Sequence, residues 1–469
     1  MREVDVAIIG AGTAGLAARK QVAKKTDNYV IIDDGPLGTT CARVGCMPSK
    51  VLIQAANDYH RRHSFAQLGI NGQENLSINK DQVMNHVRVL RDRFVRSVKE
   101  AMNDYEDKII RKRAKFIDKN TLDLGDEKIK AKKIIIATGS RPILPKPWME
   151  FKDHLIDTNR FFELEEIPQN VAVIGLGVIG IEIGQALNRI GVNVIGIGLG
   201  KDIGGLSDPE LQDYVIDKFS KEFPIYLNGA ELKEITDDGK LRLETDDESF
   251  KVDKAIIAVG RRPNIDKIGL EDIGINLSDK GMPEFSQTTF KLKEAENIFL
   301  IGDVNNDRPI LHEAADEGTI AGFNAVNEDQ CFQRRTSLGI TFCDPNIATI
   351  GQRYKELTDK KIDFVTGSVS FEGQGRSIVK LKEQGLLKVY ADKKNHKLLG
   401  AELQAPDGEH LAHLISWGVS LNLTVKEMLQ MPFYHPVIEE GLRTALREAQ
   451  LQLDEDFLEI IRCSELAFR

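Results

Sequence analysis

Two glycine triplets in nearly the same setting constrain this chain more than any other feature. The first is Gly10-Ala11-Gly12-Thr13-Ala14-Gly15, after the apolar run VDVAIIG; the second is Gly175-Leu176-Gly177-Val178-Ile179-Gly180, after NVAVIG. Each run reads as a buried strand and each triplet opens a helical pattern. In that context the glycines permit a tight turn and let backbone approach a pyrophosphate, whose charge the helix N-terminus then attracts. One such string is weak evidence. Two, each in strand–turn–helix context, point to two nucleotide sites. The strand that follows each triplet ends differently. Counting 23 residues on from Gly10 reaches Asp33, able to accept hydrogen bonds from a ribose, whereas the same step from Gly175 reaches Gly198, which cannot.

The string GTTCARVGCMPSK spans residues 38–50 and carries Cys41 and Cys46. Their spacing, where the chain should enter a helix, closes a small ring across about a turn and a half. Such a pair can cycle between dithiol and disulfide with little backbone movement, and a helix N-terminus favours the reactive thiolate. A thiol with pKa about 8.5 is a few per cent ionised at neutral pH; one lowered to about 7 is half ionised. Two buried structural cysteines are the alternative. Beside a nucleotide site, the pair suggests electron transfer between a nucleotide and a dithiol. The full set of five cysteines, with Cys331, Cys343 and Cys463, is odd and too small for a secreted disulfide scaffold. A reducing compartment is expected. Cys331 and Cys343 read as buried small residues.

A net charge of −9 argues against nucleic acid as a partner. No apolar run approaches the roughly 18 residues needed to cross a bilayer. Residues 1–10 enter a strand pattern directly, without a leader-like segment. The expectation is a soluble, cytoplasmic protein with no membrane partner. His60-Arg61-Arg62-His63 lacks metal-ligand spacing and reads as a solvated helix edge, and no metal site is expected. Residues 78–105 place apolar side chains at 83, 87, 90, 94, 98 and 102, which predicts a surface helix with a charged outer face.

Two further buried runs, KKIIIATGSRP (132–142) and KAIIAVGRRPN (254–264), close alike on glycine, arginine and proline, which suits a crossing between domains. NIFLIGD ends at Gly302-Asp303, and LHEAADEG (311–318) starts a helix. After about residue 336 the pattern changes to shorter alternating strands and two amphipathic helices. The expected architecture is α/β, with two Rossmann-like nucleotide-binding domains and a C-terminal α+β domain. The first domain is discontinuous, over 1–147 and 265–335; the second covers 148–264 and the third 336–469.

Taken together, GAGTAG, CARVGC, ATGS, GLGVIGIE, AVGRRPN, IGD, FCDPNIATIG and YHPVIEE resemble, over essentially the whole chain, the flavin-dependent pyridine nucleotide–disulfide oxidoreductases. The lipoamide branch is the nearest in kind. The resemblance implies FAD at the first fingerprint, held by Gly10, Gly12, Thr13, Ala14, Gly15, Thr40, Lys50, Ala137, Thr138, Gly139 and Gly302. Asp33 would meet the adenosine ribose and Asp303 the ribityl chain. It implies NAD(H) or NADP(H) at Gly175, Gly177, Val178, Ile179, Gly180, Glu182 and Gly260. Cys41 would be the interchange thiol and Cys46 the thiol next to the flavin. Lys50 would pair with Glu182 near the flavin's reactive edge. His435 would be the base, oriented by Glu440. A homodimer is implied, formed through the C-terminal domain, with this dyad supplied by the partner subunit.

The expected reaction is dihydrolipoamide + NAD⁺ to lipoamide + NADH, with a lipoyl domain of a 2-oxoacid dehydrogenase complex as a candidate partner. Val178, where glutathione reductases have a tyrosine, and Ser49 in the PSK string favour the lipoamide branch. Cys463 has no neighbouring cysteine, unlike the C-terminal pair of mercuric reductases. Other positions depart from both branches: Gly38-Thr39 before Cys41, Ala42-Arg43 after it, and Phe433-Tyr434 before His435. Arg43 adds positive charge that could lower the thiol pKa, receive an acidic substrate, or point to solvent. Gly198, with Lys201 nearby, opens the second site to NADP(H). An NAD(P)H-dependent reductase of another small disulfide, as in glutathione reductase, stays open. So does a low-turnover flavoprotein with a binding role.

Overall fold

A computed structural model describes residues 1–454, 456 and 458–460. Cys463 lies outside them. In the N-terminal half, Arg2–Ile9 runs parallel to Tyr29–Ile32 on one side and to Lys128–Ile136 on the other, and Ala295–Leu300 extends the sheet beyond Lys128–Ile136. Continuous apolar runs form these strands because both sheet faces are covered; all four residues of Tyr29–Ile32 are buried. Helices Thr13–Val22 and Leu311–Val326 pack on one another over this sheet. A Cβ at Gly318 or Gly322 would lie 2.3 Å from Ala14 O or 2.4 Å from Ala18 O. Only glycine allows the helix that follows Asp303 to lie so close to the one that opens at Gly12.

The second parallel sheet runs in the order Ile225–Tyr226, Asn193–Ile197, Asn170–Ile174, Lys254–Ile257, Leu155–Ile156. The two similar strings ending in proline meet where the chain crosses between the sheets: Ser140–Pro142 pairs antiparallel with Arg261–Pro263. Past residue 336, a five-stranded antiparallel sheet from Leu338–Thr341 to Leu398–Ala405 packs against helices Gly408–Ser420 and Glu440–Leu453. The architecture is thus mixed α/β with two Rossmann-like parallel sheets and a C-terminal α+β layer.

The expected surface helix is Lys80–Glu100, with only Met84 and Val87 fully buried. Cys343 is buried as expected, but Cys331 is exposed, in the irregular segment after helix Leu311–Val326. Among the described residues, no helix is long and apolar enough to cross a membrane.

Candidate active site

Gly10 sits at φ +112°, where a Cβ would lie 2.3 Å from Ala137 O, and a Cβ on Gly15 would lie 1.9 Å from Gly10 O. Gly12 has nothing within 4 Å, so its backbone faces open space. The helix Thr13–Val22 has no acid in its first turn, which leaves the positive end of its dipole unopposed. Asp33 ends the next strand, where its carboxylate accepts from Ala11 N at 2.6 Å and Gly35 N at 2.7 Å. These groups line a cavity of about 620 Å³ together with Thr40, Arg43 and Ala137–Gly139. Its size and its donors at a helix N-terminus fit a dinucleotide.

Around Gly175 the geometry repeats: φ +100°, a Cβ 2.3 Å from Ala258 O, and a Cβ on Gly180 1.8 Å from Gly175 O. A smaller cavity of about 190 Å³ is lined by Gly177, Val178, Ile179, Gly260 and Arg261. Gly198 ends the following strand with only its backbone, its N–H donating to Tyr226 O at 2.7 Å. Lys201 is ion-paired with Asp213.

Lys50, in the helix that Cys46 begins, meets Glu182, in the helix that the second fingerprint opens. Lys50 Nζ is 2.8 Å from both Glu182 oxygens, and Glu182 is only 4% exposed. Glu182 also accepts from Phe342 N at 2.9 Å, and Lys50 lies 4.6 Å from the centre of the Phe342 ring. Helices Cys46–His60 and Val178–Arg189 are thereby tied to the C-terminal region by one buried carboxylate.

Both cysteines are free thiols. They do not share one helix, as their spacing suggested. Cys41 is in the short helix Thr40–Val44, Cys46 begins Cys46–His60, and Gly45 breaks the path between them at φ −125°, ψ −119°. Cys41 donates its proton toward Cys46, and with the Lys50 cation nearby this pulls the thiol of Cys46, an exposed residue, down to about 7. Cys41, which holds that proton, is pushed up. Arg43 is not among the principal charges that act on either thiol. The loop before the pair is strained. Thr39 has φ 62° and ψ 149°, a region almost confined to glycine, while its hydroxyl accepts from Ala42 N at 3.3 Å.

His435 Nδ1 is 3.0 and 3.1 Å from the two Glu440 oxygens, and Val437 N donates to Glu440 at 3.1 Å. The contact with His435 holds the Glu440 carboxyl below its ordinary range. The imidazole is 80% exposed, and Tyr434 beside it is equally bare. Among the described residues, no hydrogen bond or ion pair joins His435 to the thiols. One chain therefore carries two separate clusters: thiols with Lys50–Glu182, and His435–Glu440.

Reading the sequence missed a third set. Ser140 Oγ donates to Asp303 at 2.8 Å and accepts from Arg261 Nε at 2.8 Å. Buried Glu317 accepts from Gly302 N, Asn305 Nδ2 and Arg334, each at 2.6 Å. Burial pushes the Glu317 carboxyl up to about 7. The signal was available: a glutamate in the LHEAADEG helix that also packs on the first fingerprint.

The chain matches the family model described as pyridine nucleotide-disulphide oxidoreductase over residues 4–318. It matches the corresponding dimerisation domain over 338–446. It is 28% identical to a dihydrolipoyl dehydrogenase of Geobacillus stearothermophilus, over 93% of this chain and 94% of that protein. It is 26% identical to a mercuric reductase of Staphylococcus aureus, over 98% of this chain and 84% of that protein. Its fold is that of the HOCl-induced flavoprotein disulfide reductase RclA from Escherichia coli, solved as a Cu(II) complex. The TM-score is 0.81 at 20% identity, over 95% of this chain and 99% of that one. The chain belongs to the pyridine nucleotide–disulfide oxidoreductase family.

Proposed function

We propose that this protein is an FAD-dependent dithiol–disulfide oxidoreductase that oxidises dihydrolipoamide with NAD⁺. The observation that carries the reading is a thiol pair poised at neutral pH beside Lys50–Glu182, between two glycine cradles. FAD would lie along Gly10–Gly15 with Asp33 at its adenosine ribose, Thr40 and Ala137–Gly139 along the cavity, and Asp303 at the ribityl chain. The nicotinamide nucleotide would lie along Gly175–Gly180, with Gly260 nearby. Bound FAD supplies the two-electron link between the dithiol and the nicotinamide.

Each residue then has a defined task. His435 of the partner subunit takes the proton of one substrate thiol at Nε2. Glu440 on Nδ1 fixes the tautomer and stabilises the imidazolium. A base so placed contributes about 10²- to 10⁴-fold. The substrate thiolate attacks Cys41 Sγ in the oxidised pair, and the bond to Cys46 breaks. Cys46 leaves as a thiolate that Lys50 stabilises. The second substrate thiol then displaces Cys41 and closes the cyclic disulfide. The exposed dyad and the dimerisation-domain match support a homodimer in which the partner completes each site.

Steady-state turnover of FAD-loaded protein with dihydrolipoamide, comparing NAD⁺ with NADP⁺, tests the proposal. Efficient turnover with NAD⁺ supports it. Negligible turnover with both nucleotides, in protein whose thiols still reduce, rejects lipoamide. Gly198 favours a second reading, a reductase of another small disulfide that uses NADPH, because no carboxylate there repels a 2′-phosphate.

A further inference from the structure

Arg43 departs from the family pattern after the first cysteine, and it is not a principal charge on either thiol. It folds back along the loop before the helix: Cγ and Cδ would touch a Cβ placed on Gly38, and Nη1 reaches Pro36 O at 3.4 Å. That brings it to the wall of the large cavity, within the field of Asp33. Burial disfavours its charge, and Asp33 and Glu163 compensate only from a distance. A guanidinium cannot shed its proton to relieve this.

Other cations at this cavity are differently engaged. Arg141 is held by Asp266, Arg113 by Asp34, and Lys112 by Asp126 and Glu127. Arg261 donates to Ser140, and Lys267 is exposed. Besides Arg261, whose donors go to Ser140, Arg43 is the cation lining this cavity that is half-buried, charged and in contact with no carboxylate among the described residues. Its donors beyond the one weak bond to Pro36 remain available to an anion.

We infer that Arg43 is a binding residue for the diphosphate of the dinucleotide in the first cavity, opposite the N-terminus of helix Thr13–Val22. A diphosphate there meets only partial positive charge from the helix and the glycine amides. Arg43 adds a full charge and a planar fork of donors from the other wall. This rests on the flavin reading above and deepens it.

The test is FAD titration of the apo-protein, followed by flavin fluorescence, for wild type, Arg43→Ala, Arg43→Gln and Arg43→Lys at low and high salt. Loss of one charge-assisted contact at a half-exposed site is expected to weaken FAD binding about tenfold in Arg43→Ala at low salt. Arg43→Lys recovers part of the loss, and the gap between Lys and Gln narrows at high salt as the charge is screened. If Arg43→Ala does not fold, the Lys–Gln comparison decides alone. Variants with wild-type FAD affinity and salt dependence overturn the inference and leave the flavin reading standing. A wild type that takes up no FAD overturns both.

Discussion

The two fingerprints are near copies in backbone and unlike in what surrounds them. Gly10 and Gly175 both have positive φ, a Cβ on either would lie equally close to a carbonyl just past the neighbouring strand of its sheet, and Gly12 and Gly177 both face open space. Yet Asp33 ends the strand after one triplet with a carboxylate bound to two backbone amides, while Gly198 ends the strand after the other with none. In the function proposed above, the glycines create a place for a diphosphate, and the residue at the strand end decides how firmly, and for which nucleotide, that place is held.

The comparison breaks most severely at the third glycine. A methyl on Gly15 or Gly180 would collide with the Gly10 or Gly175 carbonyl, at 1.9 and 1.8 Å. Overpacking of about 3 kcal/mol, or about a hundredfold in affinity, is expected at each site. Gly15→Ala should emerge without FAD. Gly180→Ala should keep FAD but not be reduced by NADH. Loss of both nucleotides in both variants would mean that the sites are not independent.

Asp33→Ala leaves the Ala11 and Gly35 amides without their partner, a cost of about 2 kcal/mol. FAD affinity should fall by about thirtyfold, as measured by titration. At the second site, the substitution that makes the copies alike is Gly198→Glu. A Cβ there would be tight against the flexible tip of Leu176, at 3.2 Å, and in ordinary contact with Gly200 O and Leu227 Cδ2, each at 3.4 Å. NADPH efficiency should drop about tenfold relative to NADH through repulsion of the 2′-phosphate. An unchanged NADPH/NADH ratio would remove Gly198 from the account of specificity.

Between the sites, Cys46 supplies a pH signature. Its folded value, about 7, lies below the ordinary thiol value, so the thiolate dominates above that pH and is lost as pH falls through it. Thiolate-to-flavin absorbance of the reduced enzyme should therefore rise with pH, with a midpoint near 7. Lys50→Met should move that midpoint up by about one unit, since it removes a neighbouring cation. The smallest effect is expected at Thr39→Gly. Relief of a glycine-only conformation outweighs loss of the cap bond, stabilising the protein by about 1 kcal/mol in thermal unfolding.

Both glycine cradles and Asp33 could be read from residue type at fixed spacing, whereas the Lys50–Glu182 and His435–Glu440 pairs were legible only through the family resemblance of the strings that carry them. The two strings ending in arginine and proline were rightly read as a crossing. The break at Gly45 was not legible: spacing alone predicts one continuous helix, and tertiary packing instead divides it. Residue type alone predicts burial for Cys331, because cysteine usually is buried, but the segment after Leu311–Val326 places it at the surface. Arg43 was ambiguous because one turn of helix decides whether it meets the thiols or the cavity. The Glu317 cluster depends on contacts between distant segments, which no local motif encodes.

The central claim is that Cys46 is the thiolate facing a flavin. Its most direct test is the absorption spectrum of the FAD-loaded enzyme after anaerobic two-electron reduction, for wild type, Cys41→Ser and Cys46→Ser. The account predicts a long-wavelength thiolate-to-flavin band in wild type, retained in Cys41→Ser and absent in Cys46→Ser. No band in wild type, or a band that survives Cys46→Ser, would contradict it.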